Sequence, residues 1–445
     1  MFRFFLALAF PYLMTAGEVP GLSIVVIRDG KIAWHRAYGA ANAETGAPLT
    51  DRTIFESASL TKPVFAYAVL KLVDAGVLAL DVPLQQYLPE PASDERMTRI
   101  TARMVLAHTT GFQNEVMPGQ TLAVHFTPGS RFSYSGAGFL YLQRVVEHRT
   151  RKALATLMRE LVFTPLAMRD SGYVWLPEYE TRKAFGHTAG GSVAARRKPT
   201  TATVATLHTT PLDYARFVVA VMKGIGLKPA TLRAMLSTQT PVDAGCVMCL
   251  TGASGRMSDT LSWGLGWAIE RTARGTAFWH WGENNGEFQN FVMGYPSGDG
   301  VVVFTNSGNG FSIMPEVVDA VLGGPHPAFA WMGYEHYDSP AKVLLRDVRA
   351  RGAAAALDAP VVNLLSESQL NGIGYSLLQR GRVRDAVLVF ERNAARFPQS
   401  ANVYDSLGEV CAAAGDRARA IVNYQRSLEL DPKNGNAAEW LHKLR

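Results

Sequence analysis

Residues 22–27 form a short apolar run, Asp29 and Gly30 supply turn chemistry, and residues 32–36 make a second run, an order that predicts a β-hairpin. Far downstream, residues 288–295, a turn over 296–300 and residues 301–305 predict another. Between them, apolar positions recur mainly at helical spacing, as at Val64, Phe65, Ala68, Val69, Leu70 and Leu72, and the remainder is loop-rich. Thr210, Pro211, Leu212 and Asp213 predict a helix start, with a capping threonine, a proline at the first position and an acid at the third. Strands at both ends with helices between predict an α/β (α+β) domain. Its antiparallel sheet is formed by the N- and C-terminal strands and covered by helices, with a helical lobe beside it. A cleft between sheet and lobe is the natural place for a site.

From about residue 341 the pattern changes to continuous helix and repeats itself. Gly374 pairs with Gly408, Gly381 with Gly415, Ala386 with Ala420, Phe390 with Tyr424 and Pro398 with Pro432, each at an offset of 34 (408 − 374 = 34). That is the tetratricopeptide period, with small residues where helices cross and a proline ending the second helix. The chain therefore divides into a domain over 1–325, a linker over 326–340 and a helical segment with two repeats over 341–445. Two repeats are few for a free-standing array, so the segment is expected to stack on residues 341–365 or on the main domain. A docked scaffold is the expected role of the segment, with a groove for a protein partner as the alternative.

Composition narrows the class. At 445 residues, 48% hydrophobic and 18% charged, the chain is a folded protein with a large core. The net charge of +6 is spread along the whole length. Its densest cluster, Arg196, Arg197 and Lys198, lies among glycines and threonines and reads as a solvated loop, so no nucleic-acid partner is expected. Three cysteines do not make a disulfide framework. Cys246 and Cys249 stand as C-x-x-C in a loop-like stretch, a loop disulfide or two free thiols according to compartment, with no second pair or histidine pair for zinc. Residues 1–16 read either as a signal peptide, Arg3 ahead of an apolar run, or as a first helix packing on the core. The first reading places the protein in the periplasm or outside the cell, the second in the cytoplasm. No other stretch is long and apolar enough to span a bilayer.

The candidate chemistry starts at Ser59-Leu60-Thr61-Lys62, just where a helical pattern begins. Three residues is close to one helical turn, so the lysine amine can reach the serine hydroxyl. A buried lysine sheds its charge easily, which suits it as the base for a serine nucleophile. Residues 53–56 read as a connection into this helix, and Pro63 is tolerated near a helix start. Ser59 is thus expected in the first turn, above unpaired backbone N–H groups that favour an oxyanion. Tyr134-Ser135-Gly136 follows a Pro128-Gly129 turn and precedes a helical run. His280-Trp281-Gly282 lies on an apolar stretch where the glycine permits close backbone approach.

In this order, and together with Pro20-Gly21-Leu22-Ser23, His108-Thr109-Thr110-Gly111 and Trp263-Gly264-Leu265-Gly266-Trp267, these motifs resemble the serine β-lactamase and penicillin-binding-protein superfamily. The resemblance covers roughly residues 12–325 and leans toward class C β-lactamases and their D,D-peptidase and esterase relatives. It implies a serine hydrolase that acts on a small ester, amide or peptide, with no metal or organic cofactor. It implies Ser59 as nucleophile, Lys62 as base or proton relay and Tyr134 as the acid–base that serves the leaving group and then water. His280 would take the place of the lysine in Lys-Thr-Gly, Gly282 would sit beside it, and the backbone N–H groups of Ser59 and Glu283 would form the oxyanion hole. Two positions depart from the superfamily's pattern. Gly136 replaces the asparagine of Tyr-x-Asn, and His-Trp-Gly replaces Lys-Thr-Gly, exchanging a fixed cation for a group mostly neutral at pH 7. Both weaken recognition of the carboxylate of a penicillin or D-Ala peptide. His108 reads as a loop-stabilising group. A different class of function on the same fold is a binding protein without turnover, with the repeats as its docking surface.

Overall fold

The structure is a computed structural model that describes residues 2–89, 94–251 and 254–444, with the side chains of 2–8 left aside. It divides into two compact units, Met1–Tyr334 and Glu335–Arg445.

In the first unit, strand β1 (Gly21–Arg28) turns into β2 (Lys31–Asn42) through Asp29 and Gly30, at φ +51° and +65°. Two left-handed residues in succession give the turn whose twist matches the strands it joins. The remaining strands are β3 (Ala47–Pro48), β4 (Phe55–Glu56), β5 (His208–Thr209), β6 (Thr240–Asp243), β7 (Met257–Trp263), β8 (Ala268–Thr272), β9 (Gly275–Asn284), β10 (Phe288–Gly294) and β11 (Gly300–Thr305). Nine of them form one sheet in the order β3-β2-β1-β11-β10-β9-β8-β7-β6, while β4 and β5 pair separately. The antiparallel pair β1 and β11, with Leu22 opposite Thr305, joins the two ends of the domain inside the sheet, third and fourth from one edge. The two predicted hairpins are therefore present. The loop-rich reading between them gives way at 240–284 to four further strands, because β7 carries polar residues on its outer positions and lacks a continuous apolar run. Residues 55–56, expected in a connection, pair with β5.

Helix α1 (Phe2–Gly17) lays Phe10, Leu13 and Met14 into the core, with the Phe10 ring 6.0 Å from that of Tyr38 on β2. Much of the stretch relevant to a signal peptide, residue 1 and the side chains of 2–8, lies outside the described residues. Among the described residues no helix is long and apolar enough to cross a membrane. Helix α2 (Thr61–Asp74) is buried along most of its length in the main hydrophobic core. Helix α3 (Gly136–Thr150) is capped by Ser135, whose Oγ accepts from Gly138 N at 3.1 Å. Helix α4 (Pro211–Lys223) has the predicted start, with Thr210 Oγ1 accepting from Asp213 N at 3.1 Å. Residues 326–334, at the head of the expected linker, contain helix α5 (Pro327–Met332), which belongs to this unit. It is fixed by Ala328 N and His326 Nδ1 on the Glu270 carboxylate and by Trp331 Nε1 on the Asp243 carbonyl.

The second unit repeats its packing with its sequence. Helices α6 (Glu367–Gln379) and α7 (Val383–Arg396) form one pair, α8 (Ala401–Ala413) and α9 (Arg417–Leu430) the next. A Cβ on Gly374 would lie 2.6 Å from the Phe390 ring, and one on Gly408 would lie 2.9 Å from the Tyr424 ring. Each glycine thus lets an aromatic ring of the second helix rest on the backbone of the first. The polar ties repeat too, since Asn393 Nδ2 donates to the Glu367 carbonyl and Ser427 Oγ to that of Ala401.

Candidate active site

Ser59 lies in a 3₁₀ turn, Ala58–Leu60, that leads directly into α2. The expectation of a first α-helical turn is corrected by one step: Pro63 has no N–H to offer the Ser59 carbonyl, so the entry tightens. Ala58 adopts φ +51°, a left-handed conformation uncommon outside glycine. The turn is held on its far side by Ser57, whose Oγ donates to the Leu207 carbonyl at 2.9 Å, and by Asn290 Nδ2, which donates to the Glu56 carbonyl at 2.8 Å. The Glu56 carboxylate is itself buried. Burial favours its neutral form, but the charges of Lys183 at 2.5 Å and Arg197 at 2.6 Å prevail and keep its pKa below the ordinary value.

Lys62 Nζ donates to Ser59 Oγ at 3.0 Å. Its side chain is buried, and loss of solvation pulls the amine down to about 8, against a small opposing pull from the Glu115 carboxylate. At that value about a tenth of the amine is neutral at pH 7, roughly 300 times the share of an unperturbed lysine. The Tyr134 ring lies 5.1 Å from Lys62 Nζ. Burial raises the Tyr134 hydroxyl well above its ordinary pKa, with Ser59 opposing part of the rise, so it stands as a proton donor. Ser59 is near enough to act on that hydroxyl, but among the described residues no well-formed hydrogen bond to it closes in the resting geometry.

His108 stacks on Tyr134 with centroids 4.3 Å apart, and its Nδ1 accepts from Ser135 N at 2.9 Å. Burial and the nearby Lys62 hold this imidazole neutral, well below its usual pKa. It therefore backs the tyrosine ring and fixes the residue after it, in line with a loop-stabilising group.

His280, Gly282 and Glu283 all come from β9 but do different things. A Cβ on Gly282 would lie 2.3 Å from the Ser57 carbonyl oxygen and 3.1 Å from Leu60 N, so bare backbone is what lets the strand lie against the nucleophile turn. Glu283 and Ser59 consequently share the rim of one cavity. His280 is fully buried, and its Nδ1 donates to the Trp281 carbonyl at 2.6 Å. Burial, then the Lys62 charge, brings its pKa down to about 3, so it supplies no cation at neutral pH.

The cavity, about 390 Å³, is lined by Ser59, Asn114, Tyr134, Val247, Met248, Trp281, Glu283, Asn285, Gly286, Met332 and Tyr334. Three of its features escaped the sequence reading. Asn114 Oδ1 accepts from Gly136 N at 2.9 Å, and a Cβ at 136 would lie 2.9 Å from the Asn114 carbonyl oxygen. An amide thus reaches the cavity from a different loop, occupying space that a side chain at 136 would need. Val247 and Met248 stand between Cys246 and Cys249, which form a disulfide, and Tyr134 N donates to the Val247 carbonyl at 3.0 Å. Met332 and Tyr334 arrive from α5 and the residues after it. The C-x-x-C spacing was the available signal for the second feature; the other two join residues far apart in sequence with no local pattern. Among the described residues no group of three metal-ligating side chains occurs.

A hydroxyl held by a partly neutral amine, a protonated phenol beside it and a cavity in front with room for a small substrate make an arrangement suited to acyl transfer. Comparison with known proteins points the same way. The chain is 35% identical over 185 residues to Esterase EstB of Burkholderia gladioli, covering 35% of this chain and 47% of the esterase, so about half of that relative's length is matched. It is 26% identical over 349 residues to Penicillin-binding protein 4 of Amycolatopsis lactamdurans, covering 71% of this chain and 88% of that protein. Among solved structures, the D-alanine carboxypeptidase AmpC of Burkholderia cenocepacia superimposes with a TM-score of 0.61 at 20% identity, over 72% of this chain and 98% of that one. An octameric penicillin-binding protein homologue from Pyrococcus abyssi gives 0.60 at 20% identity, over 79% and 82%. These last two likenesses speak for the fold alone. The Beta-lactamase family model matches residues 7–320, well over half of the sequence, and the chain accordingly belongs to the β-lactamase family and carries its serine-hydrolase fold.

Proposed function

We propose that this protein hydrolyses a small ester, amide or peptide through an acyl-enzyme at Ser59. The observation that carries the reading is the 3.0 Å bond between Lys62 Nζ and Ser59 Oγ, with the amine brought down to about 8 by burial. In acylation the neutral amine takes the Ser59 proton while Oγ bonds to the substrate carbonyl carbon. The resulting oxyanion is received by the N–H groups of Ser59 and Glu283, each such donor being worth ~3 kcal/mol. Tyr134 gives its proton to the leaving group as the bond to the carbonyl carbon breaks, and takes one from the water that later attacks the acyl-enzyme; the bond between Oγ and the acyl carbon then breaks and Lys62 returns its proton to Ser59 Oγ. His280 stands at the position of the superfamily's lysine as a neutral, buried ring, which supports esterase or peptidase chemistry over β-lactam hydrolysis. The helical pairs of the second unit read as two tetratricopeptide-like repeats, a surface for a protein partner.

Initial rates on p-nitrophenyl esters, nitrocefin and a D-Ala-D-Ala peptide test this reading. Ester or peptide turnover abolished by Ser59→Ala is the expected result. Turnover that survives Ser59→Ala would overturn it, and absence of turnover on every class would favour a binding protein on the same fold. Nitrocefin turnover at ~10² s⁻¹ or above, within the ordinary enzymatic range, would overturn the preference against a lactamase.

A further inference from the structure

Among the described residues lining the cavity, Glu283 carries the one ionisable acid or base besides the phenols, and both of its carboxylate oxygens are held. Gln289 Nε2 donates to Oε1 at 3.2 Å and the Tyr334 hydroxyl donates to Oε2. Two donors on a carboxylate orient it and satisfy part of its charge without cancelling it. Around it the walls are aromatic. The Trp281 and Tyr134 rings lie 5.1 Å apart at 37°, Trp331 braces Trp281 edge-on at 6.1 Å, and Phe311 supports Tyr334 at 4.4 Å. Glu115, next to Asn114, adds a second acid close enough to favour protonated Lys62. The third-motif position that brings a cation in Lys-Thr-Gly holds a neutral imidazole here.

A fixed carboxylate among ring faces repels a substrate carboxylate and attracts a cation by charge and by the ring quadrupoles. We infer that the cavity takes a substrate bearing an ammonium group, seated against Glu283 and the rings of Trp281, Tyr134 and Tyr334. This rests on the acylation reading above and names the substrate class for it.

Two trios of esters test it with the full-length protein. In one trio of p-nitrophenyl esters the acyl chain ends in trimethylammonium, in its neutral tert-butyl isostere or in a carboxylate. In the other, butyryl thioesters carry the same three groups on the leaving thiol. The expected kcat/KM order in at least one trio is ammonium, then neutral, then carboxylate, with about tenfold or more between the extremes. Glu283→Gln should shrink that ratio to about threefold or less, a comparison made within one enzyme and so independent of its overall rate. Equal rates or a carboxylate preference in both wild-type trios, which need no variant, would overturn the inference while leaving acylation at Ser59 intact. An ammonium preference unchanged in Glu283→Gln would also overturn it. Wild-type protein that turns over none of the six would count against both.

Discussion

At Lys62 the chain places an amine where water cannot reach it and a hydroxyl within 3.0 Å, and both facts have a measurable consequence. If the neutral amine is the base, kcat/KM on a neutral ester rises with pH as the amine loses its proton, with a midpoint near the value of about 8 that burial imposes. A profile flat across that midpoint would remove Lys62 from the proton path. Lys62→Arg, which stays charged at every accessible pH, should abolish the rise. Asn114 offers the complementary test, because its amide reaches the cavity from outside the Tyr-Ser-Gly motif. Asn114→Ala should raise KM about fivefold through loss of one hydrogen bond to the substrate carbonyl. A fall in kcat with KM unchanged would mean that Asn114 acts only by bracing Gly136.

At the scale of elements, β9 and the 3₁₀ turn before α2 have to touch backbone to backbone. Gly282→Ala puts a methyl 2.3 Å from the Ser57 carbonyl oxygen, which neither rigid partner can accommodate, so strand and turn must part. A displacement of that size should lower kcat/KM about 10²-fold with little change in substrate range; wild-type kinetics in this variant would show that the approach of β9 is unimportant. Legibility in the sequence divides along the same line. The hairpin of β1 and β2, the hairpin of β10 and β11, the capped start of α4 and the Ser-x-x-Lys spacing are all local, and local patterns report them. The 34-residue repeat is equally plain, and its glycines meet an aromatic ring at the equivalent position in each copy, Phe390 in one and Tyr424 in the other. What stayed hidden depends on distant pairing. The strands from 240 to 284 lack a uniform alternation, Asn114 meets Gly136 across a loop, and Tyr334 reaches Glu283 over 51 residues. His280 was placed by motif order, but its burial behind Trp281 could not be read from a strand two tryptophans wide.

Across the whole first unit, several imidazoles are folded into dry surroundings. His280 falls to about 3 and His208 to about 4, both chiefly by burial and then by the charge of a nearby lysine, and His108 is shifted the same way. The unfolded chain takes up these protons near 6.5 whereas the folded chain refuses them, so the stability they allow is complete above 6.5 and is lost as the pH falls toward the folded values. At pH 5 His208 and His280 should each cost roughly 2 kcal/mol. Chemical denaturation at pH 7 and pH 5 checks the sign, and equal or greater stability at pH 5 would mean that these rings are not buried neutral. The central claim, a nucleophile at Ser59, is tested most directly by covalent capture. Full-length protein treated with a fluorophosphonate probe should gain the mass of one adduct, and peptide mapping should place it on Ser59, with none formed by Ser59→Ala. No adduct on the wild type, or equal labelling of Ser59→Ala, would contradict the account.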